Sequence, residues 1–426
     1  MPSPQSDYER QLVARAHRVL PGGNLGNVSQ DIVIARGEGS RIWDSSGNEF
    51  IDYLLGSGPM LIGHSHPEVI EVVREQLANG TTFFANNEHA IELAEEIVNA
   101  VPCAEKVRFS STGTEATLYA MRAARAYRAK DKILKFEGGF HGMNDYALMS
   151  VFSANPDGYP HPSPDSAGIP RSIQDEVLIA PFNDLEKAGE IIEQYHDEIG
   201  GIIVEPFQRL IPPQPGFLQG LRNLADEYQI PLIFDEVVTG FRFAYGGAQE
   251  FYGVKPDICT LGKAVAGGFP LTAIAGSDEI MSHMDSEAVS SDNFMPQIGT
   301  LSGNPIAAVA GLKTLEILRR PGTYEGMRAT GNQLRTTLQN MLDEAEIPAK
   351  VTGEDVLFDV FFTDQEITNH KDTLTSDSAT MSKFNAGVVE RGVFKGASKF
   401  YISAAHTETD VEQTLEAFRG AVEELR

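Results

Sequence analysis

Cysteine is scarce in this sequence, since only Cys103 and Cys259 occur among 426 residues. Two cysteines cannot build the disulfide framework of a small secreted protein. Neither has a second cysteine at the C-x-x-C spacing of many metal and redox sites. We therefore expect a reducing, cytoplasmic location and no metal site.

Basic residues are also few, with 34 lysines and arginines against 60 acidic residues and a formal net charge of −26. A surface with this excess of negative charge repels nucleic acids and anionic lipids. No run approaches the roughly 18 consecutive apolar residues that a membrane-spanning helix needs. The first residues also lack the basic and apolar stretches of a secretory leader. We expect neither a nucleic-acid partner nor a membrane partner.

Short apolar segments of β type alternate with amphipathic helical patterns from about residue 66 onward, as in KILKF, IGGIIVEPF and IPLIFDEVV. Apolar strands separated by helices are typical of a mostly parallel sheet that is covered on both faces. The sequence thus predicts an α/β fold in which residues 61–315 form a large domain. We expect residues 316–426 to form a smaller α+β domain, and residues 1–60 to pack with it.

One long segment, residues 151–172 (VFSANPDGYPHPSPDSAGIPRS), contains five prolines and many small polar residues. Such a stretch in a compact enzyme is typical of a lid, of a partner-binding loop or of disorder. We expect it to be mobile without substrate and ordered over the site with substrate.

Three segments carry residues that can do chemistry. SSTGTEAT at 110–117 runs from a strand into a helix, which leaves the N–H groups of Gly113 and Thr114 free at the positive end of that helix, where phosphate binds well. IFDEVVTGFR at 233–242 puts Asp235 at the carboxyl end of a strand, where ligands bind in sheets of this type. DICTLGKAVAGG at 257–268 puts a lone lysine, Lys263, among small and apolar residues.

Each of the three segments also has a simpler interpretation. The first is compatible with an ordinary helix cap, Asp235 with a solvated strand-end carboxylate, and Lys263 with a surface lysine whose stem lies along the protein. The sequence has neither a G-x-x-x-x-G-K-[ST] motif nor a strand-linked G-x-G-x-x-G motif, so a nucleotide site is not supported.

Taken together, the three features match the needs of pyridoxal 5'-phosphate. This cofactor requires a phosphate cradle, a carboxylate for its pyridine nitrogen and a lysine that forms a Schiff base. Loss of hydration around Lys263 would favour the uncharged amine. In EGGFHG at 137–142, Phe140 offers an aromatic ring to lie over the cofactor, with His141 beside it.

The ordered set of motifs resembles the class III aminotransferases of the fold-type I pyridoxal phosphate enzymes. Within that family it is most similar to glutamate-1-semialdehyde 2,1-aminomutase and its relatives. The matching segments cover nearly the whole chain: LPGGN, GHSHPEV, SSTGTEA, KFEGGFHG, IFDEVVTGFR, TLGKAVAGGFP, GTLSGNP and AAHTETDVEQTL. The resemblance implies a seven-stranded, mostly parallel sheet between helices, and a homodimer with shared active sites.

The resemblance also implies roles around the ring of the cofactor. Lys263 would form the Schiff base and shuttle a proton, and Asp235 would pair with the pyridine nitrogen. Val237 would pack on the ring face opposite Phe140, with His141 close by.

Further roles that the resemblance implies concern the phosphate and hydroxyl groups of the cofactor. Gly113 and Thr114 would hold the phosphate, and Thr300, in GTLSGNP, would reach the cofactor phosphate of the neighbouring subunit. Glu205 and Gln208, in VEPFQ, would lie near the hydroxyl side, although this segment is also compatible with a capped strand end.

Three positions depart from the related aminomutase, and all of them concern substrate contacts. Ser29 stands where that enzyme has an arginine that grips the substrate carboxylate, and Ser57 stands where it has a tryptophan. A glutamate that contacts the substrate amino group is missing before Tyr401. Because serine cannot offer the charged, two-pronged hydrogen bond of arginine, we expect a wider, less polar pocket and a donor without a carboxylate.

The sequence therefore predicts a transaminase that moves an amino group from an amine or amino-acid donor to an oxo-acid acceptor. Arg209 and Lys399 are the candidates for binding the carboxylate of the acceptor. The alternative is glutamate-1-semialdehyde 2,1-aminomutase or another pyridoxal phosphate isomerase, which would convert one substrate without a second oxo acid. A non-catalytic cofactor-binding module is a further alternative.

Overall fold

The computed structural model describes residues 5–27, 31–152 and 158–426. Its strands are β1 Ile34–Glu38, β2 Arg41–Asp44, β3 Glu49–Asp52, β4 Lys106–Ser110, β5 Lys132–Phe136, β6 Val177–Ala180, β7 Ile199–Val204, β8 Leu232–Glu236, β9 Ile258–Leu261, β10 Thr272–Gly276, β11 Lys350–Glu354, β12 Leu357–Phe361, β13 Val393–Phe394 and β14 Phe400–Tyr401.

Helices occupy most of the segments between these strands. They are α1 Asp7–Val19, α2 Pro67–Asn79, α3 Glu88–Ala100, α4 Gly113–Arg128, α5 Arg171–Gln174, α6 Leu185–Tyr195, α7 Phe217–Glu227, α8 Gly247–Tyr252, α9 Asp278–Met281, α10 Pro305–Leu318, α11 Thr323–Glu344, α12 His370–Thr373, α13 Ser378–Glu390 and α14 Glu408–Glu423. Among the described residues, no helix is long and apolar enough to cross a membrane.

Contacts within the chain divide it into two compact units. The sheet unit comprises Glu68–Arg320 and Ile367–Leu374, and the terminal unit comprises Met1–Pro67, Pro321–Glu366 and Thr375–Arg426.

The sheet unit is built on strands in the order β4-β10-β9-β8-β7-β5-β6. Strand β10 pairs antiparallel with both of its neighbours, whereas the other neighbouring strands run parallel. The central strands β7 and β8 are buried along their whole length, as parallel strands are when helices cover both faces. This confirms the predicted α/β fold with a mostly parallel, seven-stranded sheet.

Small residues on α4 bring this helix close to the sheet. Ala116, Ala120 and Ala124 are fully buried and pack in one cluster with isoleucines of the strands, among them Ile203 and Ile233. Close packing of this kind fixes the direction in which α4 leaves β4, and so the position of the helix start.

The terminal unit contains two small sheets, ordered β1-β2-β3-β13 and β11-β12-β14. Strands β2 and β3 form an antiparallel hairpin. Asp44 closes its turn, because its Oδ1 accepts the N–H groups of Ser46 and Asn48 at 2.9 and 2.8 Å. Gly47 has a φ of 88°, which glycine adopts without strain.

Helix α11 of the terminal unit offers a stability test with a matched control. Gly331 is buried, and a Cβ there would overlap the backbone carbonyl of Asp355, whereas a Cβ at exposed Gly326 would meet nothing within 4 Å. We expect Gly331→Ala to lower the free energy of unfolding by roughly 1–3 kcal/mol or more. Gly326→Ala should raise it by up to about 1 kcal/mol through helix propensity. Urea unfolding of both variants measures this, and equal stabilities would contradict the packing of α11.

Candidate active site

The carboxyl ends of several strands meet at one edge of the sheet. Strand β10 is antiparallel to both β4 and β9, so β4 points the same way as the parallel strands. The residues that follow these strands or end them include Gly113 after β4, Phe140 after β5, Glu205 after β7, Asp235 in β8 and Lys263 after β9. The fold therefore brings residues that are far apart in sequence to a single edge, where sheets of this type bind ligands.

Helix α4 begins with two N–H groups that its cap does not use. The Thr112 side chain accepts the N–H of Glu115, and the Glu115 carboxylate accepts the N–H groups of Ser111 and Thr112 at 3.0 and 2.9 Å. Within the described residues, this leaves the N–H groups of Gly113 and Thr114 without an acceptor. They lie at the positive end of the helix, an arrangement that suits an anion such as phosphate.

The loop after β5 lies directly against the start of α4. The hydroxyl of Thr114 accepts the N–H of Met143 at 3.1 Å, and the hydroxyl of Thr117 donates to the carbonyl of His141 at 2.6 Å. Gly142 has a φ of 87°, and a Cβ there would lie 2.7 Å from Thr114. These contacts fix Phe140 and His141 relative to the anion-binding helix start.

Asp235 is held by three hydrogen bonds and is only 5% exposed. Thr260 Oγ1 and the N–H of Val237 donate to Oδ1 at 2.9 and 3.1 Å, and His141 Nδ1 lies 2.8 Å from Oδ2. Because an ionised carboxylate only accepts hydrogen bonds, Nδ1 of His141 carries a proton in this pairing. A buried, fully oriented carboxylate of this kind does not fit the simpler interpretation of a solvated strand end.

Two glycines let the backbone approach Val237. A Cβ on Gly113 or on Gly262 would lie 3.3 or 3.0 Å from Val237 Cγ1. Since both positions lack a side chain, the segments after β4 and β9 can come close to Val237, where any larger residue would be crowded.

Lys263 has an unusual backbone conformation. Its φ is 50°, in the left-handed region, and it opens a short 3₁₀ helix, Lys263–Ala266. Non-glycine residues held there cost about 1–3 kcal/mol each and cluster at functional sites. Lys263 is partly exposed, whereas Ala264, Val265 and Ala266 after it are buried. Loss of hydration at its amine stays a prediction.

Glu205 and Gln208 are both buried next to the loop after β5. Glu205 Oε2 accepts the N–H of Phe140 at 3.0 Å, and Gln208 Nε2 donates to the carbonyl of Glu137 at 2.7 Å. Gln208 Oε1 and His141 Nε2 have no hydrogen-bond partner among the described residues. Buried polar atoms are normally paired, so both are available to a bound group or to water.

Arg209 lies beside Phe140, with its guanidinium carbon 5.5 Å from the centre of the ring. Its φ of 62° is also in the left-handed region, and the residue is partly exposed. Within the part of the chain that the structure describes, it makes no ion pair with a carboxylate. Its charge is therefore available to an anionic ligand.

The remaining predicted residues lie on other segments. Thr300 is exposed in the segment before α10. In the terminal unit, Ser57 is exposed, and Lys399 is partly exposed and donates its N–H to Asp359 Oδ2. Ser29 lies outside the described residues.

The described part of the proline-rich segment is tied to the sheet unit. The carboxylate of Asp165 accepts the N–H groups of Val151 and Phe152 at 2.6 and 3.1 Å, and Ser150 donates its N–H to the carbonyl of Ser163 at 2.7 Å. Residues 153–157 lie outside the described part. Closure over the site on substrate binding stays a prediction.

Two buried polar side chains at this edge were not found from the sequence. Thr260 lies within an apolar strand segment, and only the strand register shows that it faces Asp235. Lys135, the second-last residue of β5, is 1% exposed and donates to the carbonyls of Ala147 and Met149 at 2.9 and 2.5 Å. A lysine inside an apolar strand such as KILKF is a signal that could have identified it.

Comparison with known proteins identifies the family. The family model for class-III aminotransferases matches residues 25–422. This chain belongs to the class-III aminotransferases. A curated relative, the glutamate-1-semialdehyde 2,1-aminomutase of Methanothermobacter thermautotrophicus, is 43% identical over 417 residues, which cover 96% of this chain and 97% of the relative.

Solved structures agree with this assignment. An omega-transaminase from Sphaerobacter thermophilus has a TM-score of 0.94 and 35% identity, and the match covers 100% of this chain and 99% of the other. A structure described as a transaminase with PLP bound has a TM-score of 0.91 and 28% identity, with 99% of both chains covered. The predicted family, the fold of fold-type I transferases and the prediction of an enzyme are thereby confirmed.

Lys135 should make the stability of this protein depend on pH. Burial lowers the pKa of Lys135 to about 7, against the smaller opposing effect of the Asp165 and Glu205 charges. The unfolded chain therefore binds more protons than the folded chain between about pH 7 and the ordinary lysine pKa of about 10.4, and stability should rise with pH across that window, by at most a few kcal/mol.

Lys135→Met should remove this contribution, so its free energy of unfolding should rise less steeply with pH than that of the wild type. Denaturant unfolding at several pH values between 7 and 10 measures the difference. Lys132→Met, which removes a partly exposed lysine from the same strand, is the control. Parallel curves for the wild type and Lys135→Met would contradict this assignment.

Proposed function

We propose that this chain moves an amino group within or between small molecules, using the residues at the carboxyl edge of its sheet. Membership of the class-III aminotransferases and a relative with PLP bound support pyridoxal phosphate as the cofactor. The observation that carries the proposal is the buried Asp235 carboxylate, which has three hydrogen-bond donors and lies at the same sheet edge as Lys263 and the start of α4.

The residues present fit this cofactor. The N–H groups of Gly113 and Thr114 suit its phosphate, and the buried atoms Gln208 Oε1 and His141 Nε2, which have no partner among the described residues, would be satisfied by a bound polar group. When bound, pyridoxal phosphate supplies a carbonyl that captures amines and a ring that takes up an electron pair.

The protein's own side chains have separate roles around the cofactor. Asp235 would accept the N–H of the ring nitrogen and so favour its protonated form. Lys263 Nζ would hold the cofactor in the resting enzyme and would move the proton at the substrate carbon that carries the amino group. Phe140 and Val237 would contact the ring, and Glu205 and Gln208 would serve its hydroxyl side.

The names of the curated relatives favour the aminomutase, the alternative reaction, over the transaminase that the sequence predicts. The relative at 43% identity is a glutamate-1-semialdehyde 2,1-aminomutase. We therefore propose, as the first candidate reaction, the isomerisation of a carboxylate-bearing amino aldehyde of this class, in which the amino group leaves one carbon and returns to its neighbour.

A transaminase is the second candidate, and a specific observation favours it. Ser29 and Ser57 replace an arginine and a tryptophan that resemblance to the aminomutase would lead us to expect, whereas the cofactor residues are retained. The structural match to an omega-transaminase over the whole chain points the same way. Both candidates use the same cofactor residues and differ in whether a second oxo compound is needed.

A homodimer is part of the proposal. Several large apolar side chains near Thr300 are exposed, among them Ile298 at 76%, Leu301 at 47% and Phe84 at 70%. Burying such side chains against a second copy is favourable. The resemblance to the family implies that Thr300 would then reach the cofactor phosphate of the neighbouring subunit. Sedimentation of the purified holoenzyme would show whether this dimer forms.

The candidate reactions are separated by supplying one substrate or two. If the chain is an aminomutase, the holoenzyme should convert glutamate-1-semialdehyde alone, with no added oxo acid. If it is a transaminase, it should form a ketone or aldehyde from an amine only when a 2-oxo acid such as pyruvate is present. Lys263→Ala should lower turnover by at least about a thousandfold in either case and prevent covalent attachment of the cofactor. Near-normal turnover of Lys263→Ala would refute the whole proposal.

Arg209 is proposed to bind the substrate carboxylate in place of the arginine that Ser29 replaces. Loss of a charge-assisted hydrogen bond should raise the KM for a carboxylated substrate by about ten- to a hundredfold in Arg209→Ala. The KM for an amine without a carboxylate should hardly change. Arg122→Ala, at an exposed arginine on α4, is the control. Equal effects on both kinds of substrate would show that Arg209 has no such role.

A further inference from the structure

Two neighbouring carboxylates at the end of β8 differ in how completely they are hydrogen-bonded. Glu236 is fully buried and has four donors: the hydroxyl of Thr239 at 2.9 Å, the N–H of Ala248, and the N–H and side-chain amide of Gln249 at 3.3 and 2.9 Å. A carboxylate offers about four lone-pair positions. Glu236 is therefore saturated, which suits a structural role.

Asp235, the preceding residue, has one donor fewer. Two donors, Thr260 Oγ1 and Val237 N–H, occupy Oδ1, whereas Oδ2 faces His141 Nδ1 alone. One lone pair therefore remains, and it belongs to Oδ2. Because both donors to Oδ1 occupy its lone pairs, the lone pair without a donor is on Oδ2.

Thr260 is the one side chain among the described residues that holds Oδ1. It is fully buried on β9, and in the pairing of β8 with β9 it is the direct partner of Asp235. His141 Nδ1 contacts the other oxygen, Oδ2, and His141 Nε2 has no partner in the described part of the chain. The Thr260 hydroxyl is therefore the side-chain donor that fixes Oδ1.

The same strand, β9, also links the position of Asp235 to that of Lys263. Thr260 precedes Lys263 by only Leu261 and Gly262, so the strand that presents the Thr260 hydroxyl also leads into the turn that carries the lysine. Any shift of β9 that broke the bond to Asp235 would also displace Lys263.

We propose that Thr260 is a positioning residue of the reaction. By bonding Oδ1, it turns the Asp235 carboxylate so that Oδ2 accepts the N–H of the cofactor ring and keeps that nitrogen protonated. This inference rests on the proposed function, because it assumes that a protonated ring nitrogen faces Asp235.

The test replaces the hydroxyl of Thr260 while keeping its shape. Thr260→Val is nearly isosteric and leaves Oδ1 with the Val237 N–H alone, whereas Thr260→Ser retains a hydroxyl. Thr239→Val is the matched control, because it also removes a buried hydroxyl that donates to a carboxylate at 2.9 Å, but on Glu236. We expect the kcat of Thr260→Val to be at least about tenfold below that of the wild type, with a much smaller change in KM. The kcat of Thr260→Ser should be close to that of the wild type.

A second readout separates positioning from stability. In holoenzyme loaded with cofactor that is ¹⁵N-labelled at the ring nitrogen, the ¹⁵N resonance of Thr260→Val should move towards that of an unprotonated ring. The resonances of the wild type, Thr260→Ser and Thr239→Val should agree. Thr239→Val should lose stability and keep its kcat.

One outcome would overturn the proposal. If Thr260→Val loses stability as Thr239→Val does, but keeps the wild-type kcat and ¹⁵N resonance, Thr260 is merely a satisfied core residue. If Thr260→Val fails to fold, the kcat, the stability and the ¹⁵N resonance are measured on Thr260→Ala instead. Failure of the proposed function is distinguishable, because wild-type protein would then show no covalent cofactor on Lys263 and no turnover.

Discussion

The direction of a single strand, β10, determines whether the candidate site exists. If β10 ran parallel to β9, and β4 kept its antiparallel pairing with β10, the end of β4 would lie at the opposite edge of the sheet. The start of α4, with its two uncapped N–H groups, would then be far from Asp235 and Lys263. Because β10 is antiparallel to both neighbours, the anion-binding helix start, the carboxylate and the lysine share one edge.

The second constraint is that buried charged groups need hydrogen-bond partners, and three such groups in this structure differ in how many they have. Glu236 has a donor for every lone pair, and its burial nevertheless raises its pKa. Asp235 is one donor short, and Lys135 gives its hydrogens to two backbone carbonyls. A buried polar group that lacks a partner is costly. A carboxylate that is one donor short in this setting is thus already arranged to accept a hydrogen bond from a ligand, whereas its saturated neighbour is not.

Much of this arrangement could be predicted from the sequence, because it depends on patterns that are local in the chain. Apolar strand segments such as IPLIFDEVV predict a covered parallel sheet, and residues just after such strands must lie at its carboxyl edge. Asp235, Lys263 and Gly113 were predicted in this way.

What the sequence could not show depends on register and on side-chain direction. Thr260 is one more residue in an apolar strand until its pairing with Asp235 is known. Segment Ile367–Leu374 belongs in sequence to the C-terminal part of the chain, yet its contacts place it in the sheet unit. There, the carbonyl of Thr368 accepts a hydrogen bond from Asn183 at 2.9 Å. No periodicity in the sequence indicates such a contact. The left-handed backbone of Lys263 is equally invisible, because lysine has no preference for that conformation.

The overall charge of the chain sets a last requirement on the site. A protein with a formal net charge of −26 repels anions at long range, but the proposed cofactor carries a phosphate and the proposed substrate a carboxylate. Binding must therefore rely on local positive groups that act at short range: the start of α4, Lys263 and Arg209. Salt screens long-range repulsion more than contacts within a partly buried site. It follows that moderate salt should favour the entry of anionic substrates into this enzyme more than it weakens their binding.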